Sequence, residues 1–329
     1  MSNWCNAAYK SLNVEPTGEF TPCGIISPMH GSQTGSWDLL RVGDTSQCQY
    51  CKVQESVGSY SVRQLMNAHT TSDDQIAIEY LNLNLSNVCN LQCHSCDSSR
   101  SVLIPNRVTH QYDSRNVLTL DFIQNLVRQH ASTLRIVSLQ GGEPFLWSDL
   151  NQLMTWLRSE YPHIKTALVT NLGRLPKWVL DDNPFHRIKV SLDGVGKVAE
   201  MTRVGTNWLM IKRNLKDLMS VHKPVVSTTI SSINLEGLRD LSDFILERGI
   251  EDKLDTNIVM TPGHLSVLNL SDSLKEQFLA MDYGVYSDVV KRALRLGAFM
   301  DFQEVRQKFT EFPVANIDRG APILARVIS

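Results

Sequence analysis

Three cysteines fall within eight residues, in the run Asn87-Val88-Cys89-Asn90-Leu91-Gln92-Cys93-His94-Ser95-Cys96. Thiolates at this spacing can wrap one iron–sulfur cluster. A structural zinc site or a closed four-iron cluster takes four protein ligands. Three therefore leave one metal corner open, and an open coordination position is what a reactive centre needs. Two blander readings compete with this one. The thiols could form an inert buried stripe on a helix, or a zinc site completed by His94. The zinc reading is disfavoured because neighbours such as Cys93 and His94 rarely both point at one ion. The other four of the seven cysteines are Cys5, Cys23, Cys48 and Cys51. Four is the number that closes a tetrahedral zinc or a 4Fe–4S site, and Cys48-Gln49-Tyr50-Cys51 has chelating spacing. A set of which only two thiols bind anything would look the same. Residues 97–329 hold no cysteine. An odd count confined to one end argues for metal binding over a disulfide framework.

Three further segments have the residue types of ligand loops. In Leu139-Gln140-Gly141-Gly142-Glu143-Pro144 the glycines would let the backbone approach a ligand closely, although an ordinary Gly-Gly turn with a proline opening the next element reads alike. Thr170-Asn171-Leu172-Gly173 and Ser191-Leu192-Asp193-Gly194 are turn-forming runs, and Arg203 follows the second. Alone, these are an N-cap serine, an Asp-Gly turn and a solvent-facing arginine. His264 could act on a substrate, but a lone loop histidine is more often solvated. Trp37, Tyr50 and Tyr60 could line a surface, but aromatics in a small unit are more often its core.

These segments need elements to position them. Ile78 to Leu85 alternates apolar and polar residues and is predicted to be a strand, with the three close cysteines in the loop after it. A helix follows at 118–130, with Thr119 as N-cap and Asp121 in its first turn. Strands are expected at 135–139, 166–169, 188–192, 225–230 and 257–260. Helices are expected at 150–157, near Trp178, at 209–221 and at 235–246. Six strands each followed by helical sequence imply a parallel α/β sheet with right-handed crossovers. Six units are too few for an eight-stranded barrel, so a partial (β/α)6 TIM-like barrel is expected, with function at the carboxyl ends of its strands. The three loop segments then all close strands. Residues 1–75 are rich in Gly, Ser, Pro and Cys and are expected to form a small cysteine-rich module, with a helix starting near Ser59. The barrel would span 76–270, and a helical C-terminal extension 271–329.

The chain of 329 residues is 42% hydrophobic with a net charge of −2, so bulk electrostatics give no nucleic-acid or membrane-surface signal. No apolar run is long enough to cross a bilayer, and Met1 to Lys10 lacks the pattern of a secretory signal. A cytoplasmic protein with reduced thiols is the expectation.

The CxxxCxxC spacing after the first predicted strand resembles the radical S-adenosylmethionine (SAM) superfamily, and the other segments resemble that family's GGEP, TNG and S-x-DG motifs in order. The resemblance implies a 4Fe–4S cluster on Cys89, Cys93 and Cys96 whose open iron binds the amino and carboxylate groups of SAM. Reduction then yields a 5′-deoxyadenosyl radical that abstracts hydrogen from a substrate. It also implies SAM contacts from Gly141, Gly142, Glu143, Pro144, Asn171, Ser191, Asp193 and Arg203. One departure is Ser95, where the family usually has a bulky residue that helps hold the adenine; that contact would pass to backbone or later strands, such as around Val259. Cys5, Gly18, Cys23 and the stretch from Cys48 to Asn67, with Glu55, Gly58, Ser61 and Arg63, resemble the N-terminal part of twitch-domain, SPASM-related radical SAM proteins. That resemblance implies an auxiliary 4Fe–4S cluster on Cys5, Cys23, Cys48 and Cys51 in preference to zinc. It also implies a peptide or protein substrate ahead of a sugar or nucleotide, and a reductant such as flavodoxin or ferredoxin. The segment Asp318-Arg319-Gly320 recurs in the same family.

Overall fold

The computed structural model describes residues 4–25, 36–106, 111 and 113–297. The chain opens with α1 (Ala7–Lys10), β1 (Ser11–Val14), β2 (Phe20–Thr21), α2 (Ser36–Arg41), α3 (Gln49–Val57) and α4 (Val62–His69). Strand–helix alternation follows: β3 (Tyr80–Asn84), β4 (Gln92–Cys93), α5 (Leu120–His130), β5 (Ile136–Gln140), α6 (Leu150–Glu160), β6 (Lys165–Thr170) and α7 (Lys177–Asp182). It continues with β7 (Arg187–Ser191), α8 (Lys197–Thr202), β8 (Arg203–Val204), α9 (Trp208–Met219), β9 (Val225–Ile230), α10 (Leu238–Leu246), β10 (Leu254–Ile258), α11 (Asp272–Leu279) and α12 (Ser287–Arg295).

The main sheet has eight strands in the order β10-β9-β7-β6-β5-β3-β1-β2. All neighbours are parallel except β2, which runs antiparallel to β1. The six expected strands are present and form the α/β partial barrel. Alternation assigns the two faces. Leu81 and Leu83, Val137 and Leu139, Leu168, Ile188 and Val190, Val226 and Ile230 are all fully buried. They meet the apolar stripes of the helices, such as Ile123, Leu126 and Val127 of α5 and Ile211, Leu215 and Leu218 of α9. This 3–4 spacing is what packs a helix on a sheet. The opposite, concave face is polar, with Asn82, Asn84, Ser138, Gln140, Lys189 and Ser191 along it.

The described residues of 1–75 pack directly on the sheet. Four of their residues, Ser11–Val14, extend the sheet by pairing in parallel with β3, from Ser11 opposite Tyr80 to Val14 opposite Leu83. Leu12, Val14, Val53 and Val57 join the same core as the barrel, as do Phe278, Tyr286, Val290 and Leu294 from the C-terminal part. The strand was missed because it is short and its polar side chains face the concave side. Helix α3 was missed because its Cys-x-x-Cys start reads as a loop. The helix expected near Ser59 starts at Val62, capped by Ser61 in a reciprocal box with Gln64. The last strand lies three residues earlier than expected, at Leu254–Ile258. The expected C-terminal helices are α11 and α12; residues 298–329, including Asp318-Arg319-Gly320, lie outside the described residues.

The N-terminal segment also reaches the far side of the sheet. Gln54 of α3 is completely buried and bonds both main-chain groups of Ile258 on edge strand β10, each at 3.0 Å. Ser59 meets Thr256 at 2.9 Å. One segment thus flanks both edges of the curled sheet, through β1 and through α3. Gln54→Ala leaves two buried backbone groups unpaired, a loss of about 1–3 kcal/mol. The Ile258 amide is expected to exchange with solvent about tenfold faster or more by that arithmetic. Unchanged exchange at Ile258 would show that the bridge contributes nothing.

Candidate active site

The loop after β3 carries the three close cysteines, and the loop after β5 lies against it. Gly142 N donates to Ser86 O at 2.6 Å and Glu143 N to Val88 O at 2.9 Å. Gly141 has φ +132°, and a Cβ there would lie 2.6 Å from Ser86 O. At Gly142 a Cβ would lie 2.2 Å from Val88 O. Only glycine permits this approach of two main chains. A small antiparallel ribbon then brings in Arg203: β4 pairs with β8, Cys93 opposite Arg203.

The result is a pocket of about 240 Å³ at the carboxyl ends of β3, β5, β6 and β7, lined by Cys89, Cys93, Cys96, Gly141, Gly142, Asn171, Ser191 and Arg203 among others. Donors are directed at the sulfurs. Leu91 N lies 3.4 Å and Asn171 Nδ2 3.8 Å from Cys89 Sγ, and an Arg203 guanidinium N–H lies 3.9 Å from Cys93 Sγ. Burial, and then the other thiols, push Cys89 up to about 11 and Cys96 up to about 12. Without metal these are thiols, and binding a metal must displace their protons.

Three of the residues expected to contact SAM, Glu143, Pro144 and Asp193, are not among those lining the pocket. Glu143 and Pro144 are buried away from the pocket. The Glu143 carboxylate accepts from Phe145 N at 3.1 Å, Thr170 Oγ1 at 2.7 Å and Asn171 N at 2.8 Å. It joins the β5 loop to the β6 loop, a positioning role, and burial pushes it up to about 7 against the pull of those donors. Asp193 accepts from Arg203 Nε at 2.7 Å and from Thr229 N at 2.8 Å, so it aims the guanidinium at Cys93. In Glu143→Gln an amide NH2 would face an N–H or O–H donor. The expected loss is about 2 kcal/mol, read from urea denaturation midpoints. Equal midpoints would remove the linking role.

Among the pocket residues not singled out from the sequence are Gln140, which ends β5, and Asn84, which ends β3. Asn84 is completely buried; its Nδ2 donates to Val14 O at 3.0 Å and Asn13 Oδ1 at 3.2 Å, while its Oδ1 has no partner. The signal was present: Asn82 and Asn84 alternate with Leu81, Leu83 and Leu85, which marks a polar inner face. Val259 and His264 do not line the pocket. Val259 packs with Ile233 and Leu265, and His264 lies in a 3-10 turn. Tyr50 and Trp37 pack against the main core, and Tyr60 is exposed.

The other four cysteines gather as well. Cys23 and Cys48 share a small core with Ala7, Met66 and Tyr80, and Cys5 packs against it. Cys48 caps α3 and Cys51 lies in its first turn. Burial raises the thiols of Cys5, Cys48 and Cys51; the neighbouring thiols add to it at Cys5 and Cys48, and Glu55 does so at Cys51, with Cys5 reaching about 11. Arg63, held by Glu55, sits beside Cys5 and Cys51 and favours their thiolates. Among the described residues no group of three or more His, Cys, Asp or Glu side chains converges on a single ion. A four-iron cluster asks instead that each thiolate reach a separate corner. The sulfurs of Cys89 and Cys93 face N–H groups and a cation, and with Cys96 they line an open pocket, a donor set that fits such a cluster.

Fold and site together define a parallel α/β protein with a three-thiol pocket at its carboxyl ends. Residues 83–246 match the model of the Radical SAM superfamily, and the chain belongs to that superfamily of enzymes. It is 25% identical over 191 residues to the GTP 3′,8-cyclase of Alkaliphilus metalliredigens, covering 56% of this chain and 57% of that protein. To the GTP 3′,8-cyclase of Clostridium perfringens (strain 13) it is 28% identical over 182 residues, 53% of this chain and 54% of that one. The chain spans about half the length of the curated relatives it matches. Among solved structures, "Native anSMEcpe with bound AdoMet and Cp18Cys peptide" shares 17% identity, covering 61% of this chain and 57% of that chain at a TM-score of 0.48, a likeness too slight to carry an argument. None of the described helices is long and apolar enough to cross a membrane.

Proposed function

We propose that the protein reductively cleaves SAM and uses the resulting 5′-deoxyadenosyl radical to abstract hydrogen from a substrate held on the concave face of the sheet. The observation that carries this reading is convergence. Eight residues drawn from four separate sequence motifs line one pocket. Cys89, Cys93 and Cys96 would hold a 4Fe–4S cluster, which would supply the electron for SAM cleavage and a site for the SAM amino and carboxylate groups.

The chain's own residues do the rest. Gly141 and Gly142 bring main chain to the pocket wall. Ser191 and Arg203 present a hydroxyl and a cation to the SAM ribose and carboxylate, and Asp193 holds Arg203 in place. Asn84 offers its unpartnered Oδ1 as an acceptor. Cys5, Cys23, Cys48 and Cys51 would hold an auxiliary 4Fe–4S cluster, as the resemblance to twitch-domain proteins suggests, with flavodoxin or ferredoxin as reductant.

That resemblance points to a peptide or protein substrate. The alternative, a sugar or nucleotide, is favoured by the GTP 3′,8-cyclase names of the matched relatives and by Arg135, Lys165 and Arg187, which line a second cavity beside the pocket. Anaerobic reconstitution tests the core reading. Two clusters, and 5′-deoxyadenosine released with SAM and dithionite, are expected. One zinc and no cleavage would identify a non-catalytic metal-binding protein instead.

A further inference from the structure

The concave face opens, toward the amino ends of the strands, into a cavity of about 820 Å³. That is within the range of small-molecule sites, about 300–1,000 Å³. Gln140 and Val169 line both this cavity and the thiol pocket, so the two adjoin. The amino-end rim is cationic. It carries Arg135 just before β5, Lys165 at the start of β6 and Arg187 at the start of β7, with His69, His163 and His186 beside them. No Asp or Glu is among the lining residues.

These charges share one region. Burial and then Arg187, Lys165 and Arg135 hold His69 below its ordinary pKa, and burial and then Lys165 do the same for His186. Their compensation is incomplete. Arg135 lies 3.3 Å from Glu79, but that carboxylate is also engaged by Thr71 and lies 3.9 Å from Lys10. Deeper in the cavity Lys189 is neutralised by Asp255 at 2.5 Å. Lys165 and Arg187 have no carboxylate partner among the described residues, and Arg187 Nε is buried without an acceptor. Gathering unpaired cations and burying a guanidinium donor both cost free energy unless an anion arrives.

We propose that the cavity takes a small phosphate ester as substrate, its phosphate on Lys165 and Arg187 and its reacting carbon toward the thiol pocket. The proposal rests on the radical reading of that pocket and names its substrate class. A phosphate group concentrates more than one negative charge and several acceptors at one point, and an arginine fork matches that geometry. An acidic peptide would spread single charges along its length, whereas the rim cations meet at one end.

The test uses reconstituted holoenzyme at fixed low ionic strength and isothermal titration with inorganic pyrophosphate. Wild type is expected to bind, and Lys165→Ala/Arg187→Ala to bind about tenfold more weakly or worse, as charge-assisted contacts of this kind allow. Lys177→Ala/Arg213→Ala, an equal charge change on outer helices, is expected to bind like wild type. Lys165 is exposed, so Lys165→Gln alone is safe for folding and should weaken binding severalfold. The proposal is overturned if wild type does not bind pyrophosphate, or if the outer pair weakens binding as much as the rim pair. Tighter binding of a hexaglutamate peptide than of pyrophosphate would overturn it too. Release of 5′-deoxyadenosine by wild type reports separately on the radical reading. Cleavage without pyrophosphate binding sinks only the phosphate site; rim-dependent binding without cleavage sinks the radical reading and leaves an anion site.

Discussion

Cys93→Ala is expected to bring reductive SAM cleavage down by about three orders of magnitude, equivalent to more than ~4 kcal/mol of barrier. Cys93 is the middle thiol of the three, and its strand pairing with Arg203 ties it to the opposite wall of the pocket. An alanine there removes a proposed cluster ligand and takes away the sulfur that the Arg203 guanidinium faces. The adjacent His94 is not among the residues lining the pocket, so it is not expected to replace the lost thiolate. The measurement is 5′-deoxyadenosine formed under dithionite, alongside iron content and the EPR signal of the reduced protein. Cys48→Ala is the matched comparison. It should lower iron content but leave part of the cleavage, because Cys48 lies in the separate small core with Met66 and Tyr80. Full cleavage by Cys93→Ala would falsify the assignment of the reactive cluster.

Gly142→Ala is expected to damage the site nearly as much without touching a ligand. The added Cβ would sit 2.2 Å from Val88 O, 2.5 Å from Val88 C and 3.0 Å from Arg100 O. All three are main-chain atoms of the cysteine loop, so no side chain can swing aside. Either the loop moves or the β5 turn does, and each carries pocket residues. Overpacking of this kind costs about 1–3 kcal/mol, and a shift of the order of 1 Å at a reacting centre can cost about 100-fold in rate. The expected result is a lowered melting temperature together with a drop of about 100-fold in SAM cleavage. Gly297→Ala, where a Cβ meets nothing within 4 Å, should change neither. Normal stability and normal cleavage in Gly142→Ala would mean that the two loops are not locked as the structure has them.

Much of the site could be read from the residues because its parts are local. A cysteine run, a Gly-Gly turn and an Asp-Gly turn each declare themselves within a few positions, and the strand alternation that precedes them is equally short in range. Glu143, Pro144 and Asp193 show the limit. Each belongs to a motif, but a motif does not say which way a side chain turns. Glu143 faces the Thr170 turn and Asp193 faces Arg203 because those donors are buried and need an acceptor. Asn84 shows the converse. Its residue type drew no notice, yet its position on the inner face of β3 gives the pocket an unsatisfied acceptor.

The one-dimensional pattern of cysteines, glycines and alternating strands was enough to determine the α/β class, the order of the six strand–helix units and the loops at which chemistry gathers. Tertiary structure alone decided that the N-terminal residues flank both edges of the curled sheet, through β1 beside β3 and Gln54 on Ile258. It alone placed Arg135, Lys165 and Arg187 at one mouth. Strand and helix periodicity come from neighbours a few residues apart. Edge pairing and the meeting of charges from separate strands depend on contacts tens to hundreds of residues apart, which no local pattern encodes.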